Sequence, residues 1–430
     1  MTKRQTSAQR STGTRPESSE EKRVQLAERT IINEQDPRYA AIDAAAFASK
    51  NLWNAANYLV RQAFIHEHIY LDNVKVYHLI KTHEAYKALP AKVSNQVLIQ
   101  LHQAWVAFFE AMEEWREDPS KFQGRPSLPG YKDKTTGRNL LVYEQGAISQ
   151  RALKRGRLAP SGLGIEVPTA HQEAVKQARI VHRHGYYVVE VIYEQAVEQA
   201  EVNPEYYAGI DIGMHVLAAL TSNKPNFQSV IINGRPLKSI NQYYNKRRAQ
   251  LQKKLGRTGT TRRMERLTTK RNRRIEHYLH TASRYIIDLL VNEGIGTLCI
   301  GKNDGWKQEA NMGKRNNQNF VQIPHARFIA MLTYKAELVG IRVQVTEESY
   351  TSKASFLDLD PLPMRKNDDD TTYTFSGKRV KRGLYRASNG RYIHADCNGS
   401  GNIIRKVAPD AFAKGVEDFA VHPVRITLTK

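Results

Sequence analysis

Cysteine is nearly missing from this chain: among 430 residues there are two, Cys299 and Cys397. Two thiols exclude a disulfide framework and any all-cysteine zinc site within one chain. A reducing, cytosolic setting is the default for such a sequence. Long apolar runs are missing as well. No stretch of about 18 hydrophobic residues occurs, which excludes a transmembrane helix. The opening MTKRQTSAQRSTGTRPESSEEKR has no apolar core, so residues 1–22 read as a disordered leader and not as a secretory signal. Acidic residues are in short supply. Asp plus Glu number 43 against 65 Lys plus Arg, a net charge of +22. An excess of that size without a membrane segment calls for a polyanionic partner, and nucleic acid is the expected one.

What is present divides by hydrophobic period. Residues 36–118 keep apolar side chains at helical spacing, as in AAIDAAAFASKNLWNAANYLVRQ and NQVLIQLHQAWVAFFEAMEEW, and read as a helical block. Residues 23–35 and 119–204 flank that block and are β-rich. The clearest part is ARIVHRHGYYVVEVIYE, two alternating runs about a His-Gly turn. From residue 205 the order changes. YAGIDIGMHVLAALTS and FQSVIINGRPL read as a strand pair, followed by a long basic helical region, the strand IGTLCIG, an amphipathic helix, the strand IRVQV and a last helix after HADCNGSG. That alternation is an α/β order.

Carboxylates fall at the ends of these elements. Asp211 interrupts the apolar run YYAGIDIGMHVLAALTS and is followed closely by Gly213. Glu347 and Glu348 end IRVQVTEE, and Asp396 opens the last helix. A lone buried charge is costly, so Asp211 needs a partner, solvent or a metal. Three acids at strand ends and a helix start can meet at one sheet edge. There they suit a hard divalent cation such as magnesium and the cleavage of a phosphodiester. The plain alternative for each is a turn former or helix cap, and Asp396 is well suited to capping.

GIDIG, YTSKAS and ADCNGSGNIIRK, taken in order, resemble the split nuclease core of the TnpB family, over about residues 205–410 and more weakly over 40–200. That family comprises transposon-encoded, RNA-guided DNA endonucleases related to type V CRISPR effectors and Fanzor proteins. The resemblance implies an RNase H-like (RuvC-type) α/β nuclease domain, split between 205–352 and 393–415. It implies a helical recognition lobe at 36–118 and a β-rich wedge domain at 23–35 and 119–204 before it, in a multidomain α+β chain. It also implies magnesium as cofactor, a noncoding, transposon-derived guide RNA and target double-stranded DNA as partners, and a prokaryotic, nucleoid-associated location. Residues 353–392 correspond to a target-nucleic-acid-binding insertion, and 416–430 read as a tail. The family's first and last catalytic, metal-binding aspartates match Asp211 and Asp396.

Two departures from the family pattern stand out. The usual strand-end glutamate has no counterpart in IGTLCIGKNDG, where Gly301 falls near its place. Some relatives carry a relocated glutamate before the YTS loop, and Glu348 is chosen here as that catalytic and metal-binding acid. Strict alternation through Val343 and Val345 favours Glu347, whereas a bulge or strand end favours Glu348. The insertion also lacks the family's four zinc-binding cysteines, so it must fold by other means. YTFSGKRVKRGLYRAS is expected to form a hairpin across its basic middle. If no third acid reaches the site, the chain is a nuclease-inactive guided binder, the alternative reading. A conventional transposase is a third.

Basic residues supply the remaining expectation. From Lys246 to Arg274 the only acid is Glu265. Such one-sided charge suits a groove for a guide–target heteroduplex, held by its backbone. Arg247, Arg248, Arg262, Arg263, Arg271 and Arg274 are the expected phosphate contacts. His215 is given no role.

Overall fold

The computed structural model describes residues 22–428 apart from 173–174, 184, 257, 303–321, 364–372, 414, 417–418 and 420. Residues 1–21 of the leader, and all but Tyr373 of the acidic stretch NDDDTTY at 367–373, therefore lie outside the described residues.

The helical block packs through one stripe per helix. In α1 (Tyr39–Gln62) Ile42, Ala46, Leu52, Trp53, Ala56 and Val60 are buried, the spacing of a helix with one apolar face. Leu52, Trp53, Ala56 and Val60 meet α2 (Asn73–Ile80), α3 (Glu84–Lys87) and α4 (Ala91–Glu117) around Trp105, whereas Ile42 and Ala46 pack with Leu141, Ile180 and Val189. The Trp105 Nε1–H donates to Asn57 Oδ1 at 3.1 Å, so the one polar atom of that buried ring is satisfied. Asn54, Asn57 and Trp53 donate to the carbonyls of Lys132, Pro129 and Gly130, which straps the Pro-Gly-rich connection onto α1.

An antiparallel sheet of order β1-β6-β5-β2 lies beside this block. It comprises β1 (Arg23–Asn33), β2 (Leu141–Glu144), β5 (Val175–Arg183) and β6 (Tyr186–Ala196). The short helix α5 (Gln150–Leu153) and the small ladder of β3 (Arg157–Leu158) and β4 (Val167–Pro168) fill the connection. The first strand thus pairs along its whole length with residues more than 150 positions away.

The second half is built on a six-stranded sheet. Its strands are β7 (Asn203–Ile212), β8 (Val216–Ser222), β9 (Val230–Asn233), β10 (Ile295–Gly301), β11 (Arg342–Thr346) and β15 (Val424–Ile426). Their spatial order is β11-β10-β7-β8-β9-β15. The β11, β10 and β7 strands are parallel, while β7–β8 and β8–β9 are antiparallel. Counted from β7, the first five strands stand 5-4-1-2-3, the RNase H-like (RuvC-type) arrangement. Every residue of β8 and β10 is buried, as expected of central strands covered on both faces.

Helices α6 (Arg235–Leu255), α7 (Arg262–Asn292) and α8 (His325–Leu338) contribute to this half, and α9 (Ala395–Val407) packs on β7 and β8. The 31-residue α7 is of two kinds: Ile275 to Leu290 pack into the core, while of residues 262–274 only Met264 is buried.

Three sequence expectations need correction. YAGIDIGMHVLAALTS is not one strand but a hairpin, β7 and β8, turning at Gly213–His215. Residues 416–430 are not only a tail, because β15 adds a sixth strand parallel to β9. In the insertion, the basic residues form strand β12 (Lys378–Lys381) itself, and the turn to β13 (Leu384–Arg386) is only Arg382–Gly383. The strand β14 (Tyr392–Ile393) completes that three-stranded sheet.

Candidate active site

Asp211 is the last residue but one of β7, at the edge where the parallel strands end. Helix α9 crosses β7 there at backbone distance, and small residues on both elements permit it. A Cβ on Gly209 would lie 2.2 Å from the Ser400 carbonyl oxygen, and one on Gly399 would lie 2.6 Å from Asp211 Oδ2. A side chain at Gly209 would push the helix off the strand, and one at Gly399 would displace the Asp211 carboxylate. Ser400 fixes the crossing, donating its hydroxyl to the Gly209 carbonyl at 2.7 Å and bonding Thr221 Oγ1 at 2.8 Å. Asp396 sits in the first turn of α9, but it is not the cap. The Asp396 N–H donates to His394 Nδ1 at 3.3 Å, which leaves the carboxylate free of a capping role.

The third acid comes from beyond a strand end. Strand β11 stops at Thr346, so its alternation does not govern the two glutamates. Glu347 turns to Lys406 of α9, whose side chain is 4% exposed, and accepts the Ser349 N–H at 2.8 Å. Glu348 points the other way. Its Oε2 lies 2.9 Å from where a Cβ on Gly301 would be, at the end of β10. The carboxylate therefore fills the space next to the one strand-end position that lacks a side chain, and Ile403 fills the rest.

The turn carrying Glu348 is held from α9. Tyr350 adopts a left-handed φ of 63°, which is uncommon outside glycine. Thr351 donates from both N and Oγ1 to the Glu348 carbonyl, at 3.2 and 2.9 Å. Asn398 and Asn402 each donate to the carbonyl of Ala354, at 2.8 and 2.9 Å, and Asn402 also to that of Thr351 at 3.0 Å. Asn398 Oδ1 accepts the Phe356 N–H at 2.9 Å. Both asparagines are fully buried, so each unmade bond would cost about 1–3 kcal/mol. One helix thus carries Asp396 and the anchors of the Glu348 turn.

The electrostatics of the three acids are those of a crowded anionic site. Burial, then the charges of Asp396 and Glu348, hold the Asp211 carboxyl well above the ordinary aspartate range, while Arg379 opposes them. Burial, then Glu347, pushes Glu348 up to about 7. Glu347 moves the opposite way despite its burial, because Lys406 and Ser349 hold its charged form. Carboxylates that resist ionisation together are relieved by a cation, and three oxygen donors of this type match magnesium in chemistry. Among the described residues no three acids, histidines or cysteines yet stand as a closed ligand set. Asp396 Oδ1 lies 3.5 Å from Arg379 Nη2 instead.

The insertion contains no cysteine, and two aspartate clasps tie its segments together. Asp360, 4% exposed, accepts from the N–H groups of Ser355 at 2.7 Å and Ser376 at 3.0 Å, and from the Ser376 hydroxyl. Asp358 accepts from the Ser388 N–H at 2.9 Å and its hydroxyl at 2.6 Å. Phe356, Phe412 and Phe419 pack beneath, with ring centroids 4.4–6.1 Å apart.

The arginines expected to meet phosphate separate into two kinds. Arg247, Arg248, Arg262, Arg263 and Arg274 are exposed. Arg262 and Arg274 also line a cleft of about 590 Å³ between α7 and the β5–β6 turn. Arg271 is the correction. Its guanidinium donates to Asn241 Oδ1, Asn272 Oδ1 and the Gln322 carbonyl at 2.7–2.8 Å and lies over the Tyr244 ring, so it braces α6 against α7 instead of facing solvent. Sequence reasoning missed Arg379, Asn398, Asn402 and Lys406. The two asparagines had a visible signal, since they share the D-x-N-x-x-x-N frame with Asp396; the two cations had none.

The OrfB_IS605 family, described as a probable transposase, matches residues 190–307. A Cas12f1-like TNB domain matches residues 325–403. The TnpB-like protein ORF457 of Acidianus two-tailed virus is 24% identical over 403 residues, covering 83% of this chain and 81% of its own. Among solved structures, a Cas12f1–sgRNA–target DNA complex aligns with a TM-score of 0.50 at 14% identity, covering 85% of this chain and 82% of the other, a likeness of fold.

Proposed function

We propose that this chain, which belongs to the TnpB family, is an RNA-guided, magnesium-dependent DNA endonuclease. The observation that carries the reading is the joint placement of Asp211, Asp396 and Glu348. Asp211 feels both other charges, and Glu348 occupies the space beside Gly301. Relatives in the fold comparison are complexes with guide RNA and target DNA, and the basic cleft along α7 supports the same class of partner here.

In this reading Asp211, Glu348 and Asp396 hold magnesium, which when bound supplies water activation and charge neutralisation at the phosphate. The chain itself fixes the acids: β7 presents Asp211, and α9 presents Asp396 while holding the Glu348 turn through Asn398 and Asn402. Lys406 keeps Glu347 out of the site. Exposed arginines of α6 and α7 hold nucleic-acid backbone without reading sequence. The wedge-like sheet and the helical block hold the guide and read a short motif beside the target. Among the described residues no helix is long and apolar enough to cross a membrane.

The alternative of a guided binder that does not cut draws on Arg379, which pairs with Asp396 as the structure stands. The test is sequencing of the RNA that copurifies with the chain, followed by cleavage of a plasmid bearing the matching target with magnesium. The nuclease reading expects a discrete RNA and a cut lost in Asp211→Asn. Guided binding without a cut by the unmodified chain would establish the alternative.

A further inference from the structure

Next to Asp396 lies a second feature, a cavity of about 450 Å³. Five separate segments wall it: the β7–β8 turn, the start of α6, the β12–β13 hairpin, the start of α9, and β15. Arg235, Arg379, Arg382 and Arg425 line it with His215 and His394, and Asp396 is the only acid among its walls. All four arginines are exposed. Arg379 pairs with Asp396, whereas among the described residues Arg235, Arg382 and Arg425 have no ion-pair partner. Guanidinium groups brought together from distant parts of a chain repel one another unless an anion lies between them. They are also the groups best shaped to grip a phosphate in bidentate fashion.

We propose that this cavity seats a backbone phosphate of the DNA strand being cut, adjacent to the bond presented to the carboxylates. The proposal rests on the nuclease reading for its choice of strand, but not for the existence of the site. The cavity opens beside Asp396, so a strand lying on its arginines passes that carboxylate. Its volume is within the usual range for a site that encloses a small ligand, roughly 300–1,000 Å³, which suits one nucleotide unit. Two of the arginines belong to the β12–β13 hairpin and one to β15. A bound phosphate would therefore tie the insertion and the added sixth strand to the sheet edge. Arg379 has two anionic partners in reach, the Asp396 carboxylate without substrate and the phosphate with it.

The experiment is binding of a short fluorescein-labelled oligothymidylate to the full chain in EDTA, read by anisotropy over a salt series. Arg382→Gln/Arg425→Gln is expected to weaken binding about tenfold at low salt and to flatten the log–log salt slope by about 1.4, at roughly 0.7 per phosphate contact on a single strand. Arg382→Lys/Arg425→Lys restores most of the affinity, which separates lost charge from lost fold. A control away from the cavity, Arg342→Gln at the start of β11, changes binding less than twofold. Unchanged affinity and slope in the pocket variant, or an equal loss in the control, overturns the proposal. Because binding is read without metal, a chain that binds through these arginines but never cuts refutes the nuclease reading and leaves the phosphate seat intact.

Discussion

The carboxylate centre and the basic face of α6 and α7 are built on opposite principles. At the centre, geometry is fixed by packing. Gly209 lets a helix touch a strand, Gly399 leaves room for the Asp211 carboxylate, and buried Asn398 and Asn402 hold the turn that carries Glu348. On the basic face, Arg247, Arg248, Arg262, Arg263 and Arg274 are exposed. The difference teaches where single substitutions matter. A centre of a few constrained groups fails at once when one is lost, whereas a charged surface loses affinity in small steps.

The largest effect is expected at the centre. Asp211→Asn or Asp396→Asn should lower cleavage by more than ~100-fold, since even groups behind a metal ligand commonly matter 10–100-fold. Affinity for the copurifying RNA should stay within about twofold, as measured by filter binding. Next come the groups that position Glu348. Asn398→Ala and Asn402→Ala should each lower the cleavage rate about 10–100-fold while binding is retained. The drop should be greater at limiting magnesium, and a drop in rate independent of magnesium would point to misfolding instead.

A smaller effect concerns stability and has the opposite sign. The folded chain holds a proton on Glu348 up to about pH 7, while the unfolded chain releases it in the ordinary carboxylate range. The metal-free fold therefore loses stability as pH rises between those limits. Glu348→Gln removes that loss and should stabilise the metal-free protein at pH 7.5 by about 1–3 kcal/mol, but little at pH 4.5, by urea denaturation. Cleavage by the unmodified chain should rise through the same interval as Glu348 ionises. The smallest effect belongs to the basic face. Arg262→Gln should reduce the salt slope of duplex binding by about 0.9 and leave the cut itself intact.

The sequence made the centre legible where backbone and function coincide. Asp211 ends an apolar strand and Asp396 opens a helix, so local pattern and chemistry pointed to the same residues. The choice between Glu347 and Glu348 was not legible, because it depends on where β11 stops, on a left-handed Tyr350 and on Lys406 from a distant helix. The sixth strand escaped for a related reason. Val424–Ile426 is three residues long and pairs with a strand nearly 200 positions earlier, and no local period announces such a partner. Arg271 misled because charge pattern alone does not distinguish a guanidinium facing solvent from one bonded inward to Asn241 and Gln322. The clasps at Asp358 and Asp360 lie in ordinary loop composition, with nothing to mark their distant partners Ser388 and Ser376.

The most direct measurement is magnesium-dependent cleavage of a guide-matched target by Glu348→Gln and Glu347→Gln side by side. A loss above ~100-fold for Glu348→Gln with less than ~10-fold for Glu347→Gln is the result expected of a carboxylate that has taken the space at Gly301. Equal activity in the two variants, or full cutting by Glu348→Gln, would contradict it.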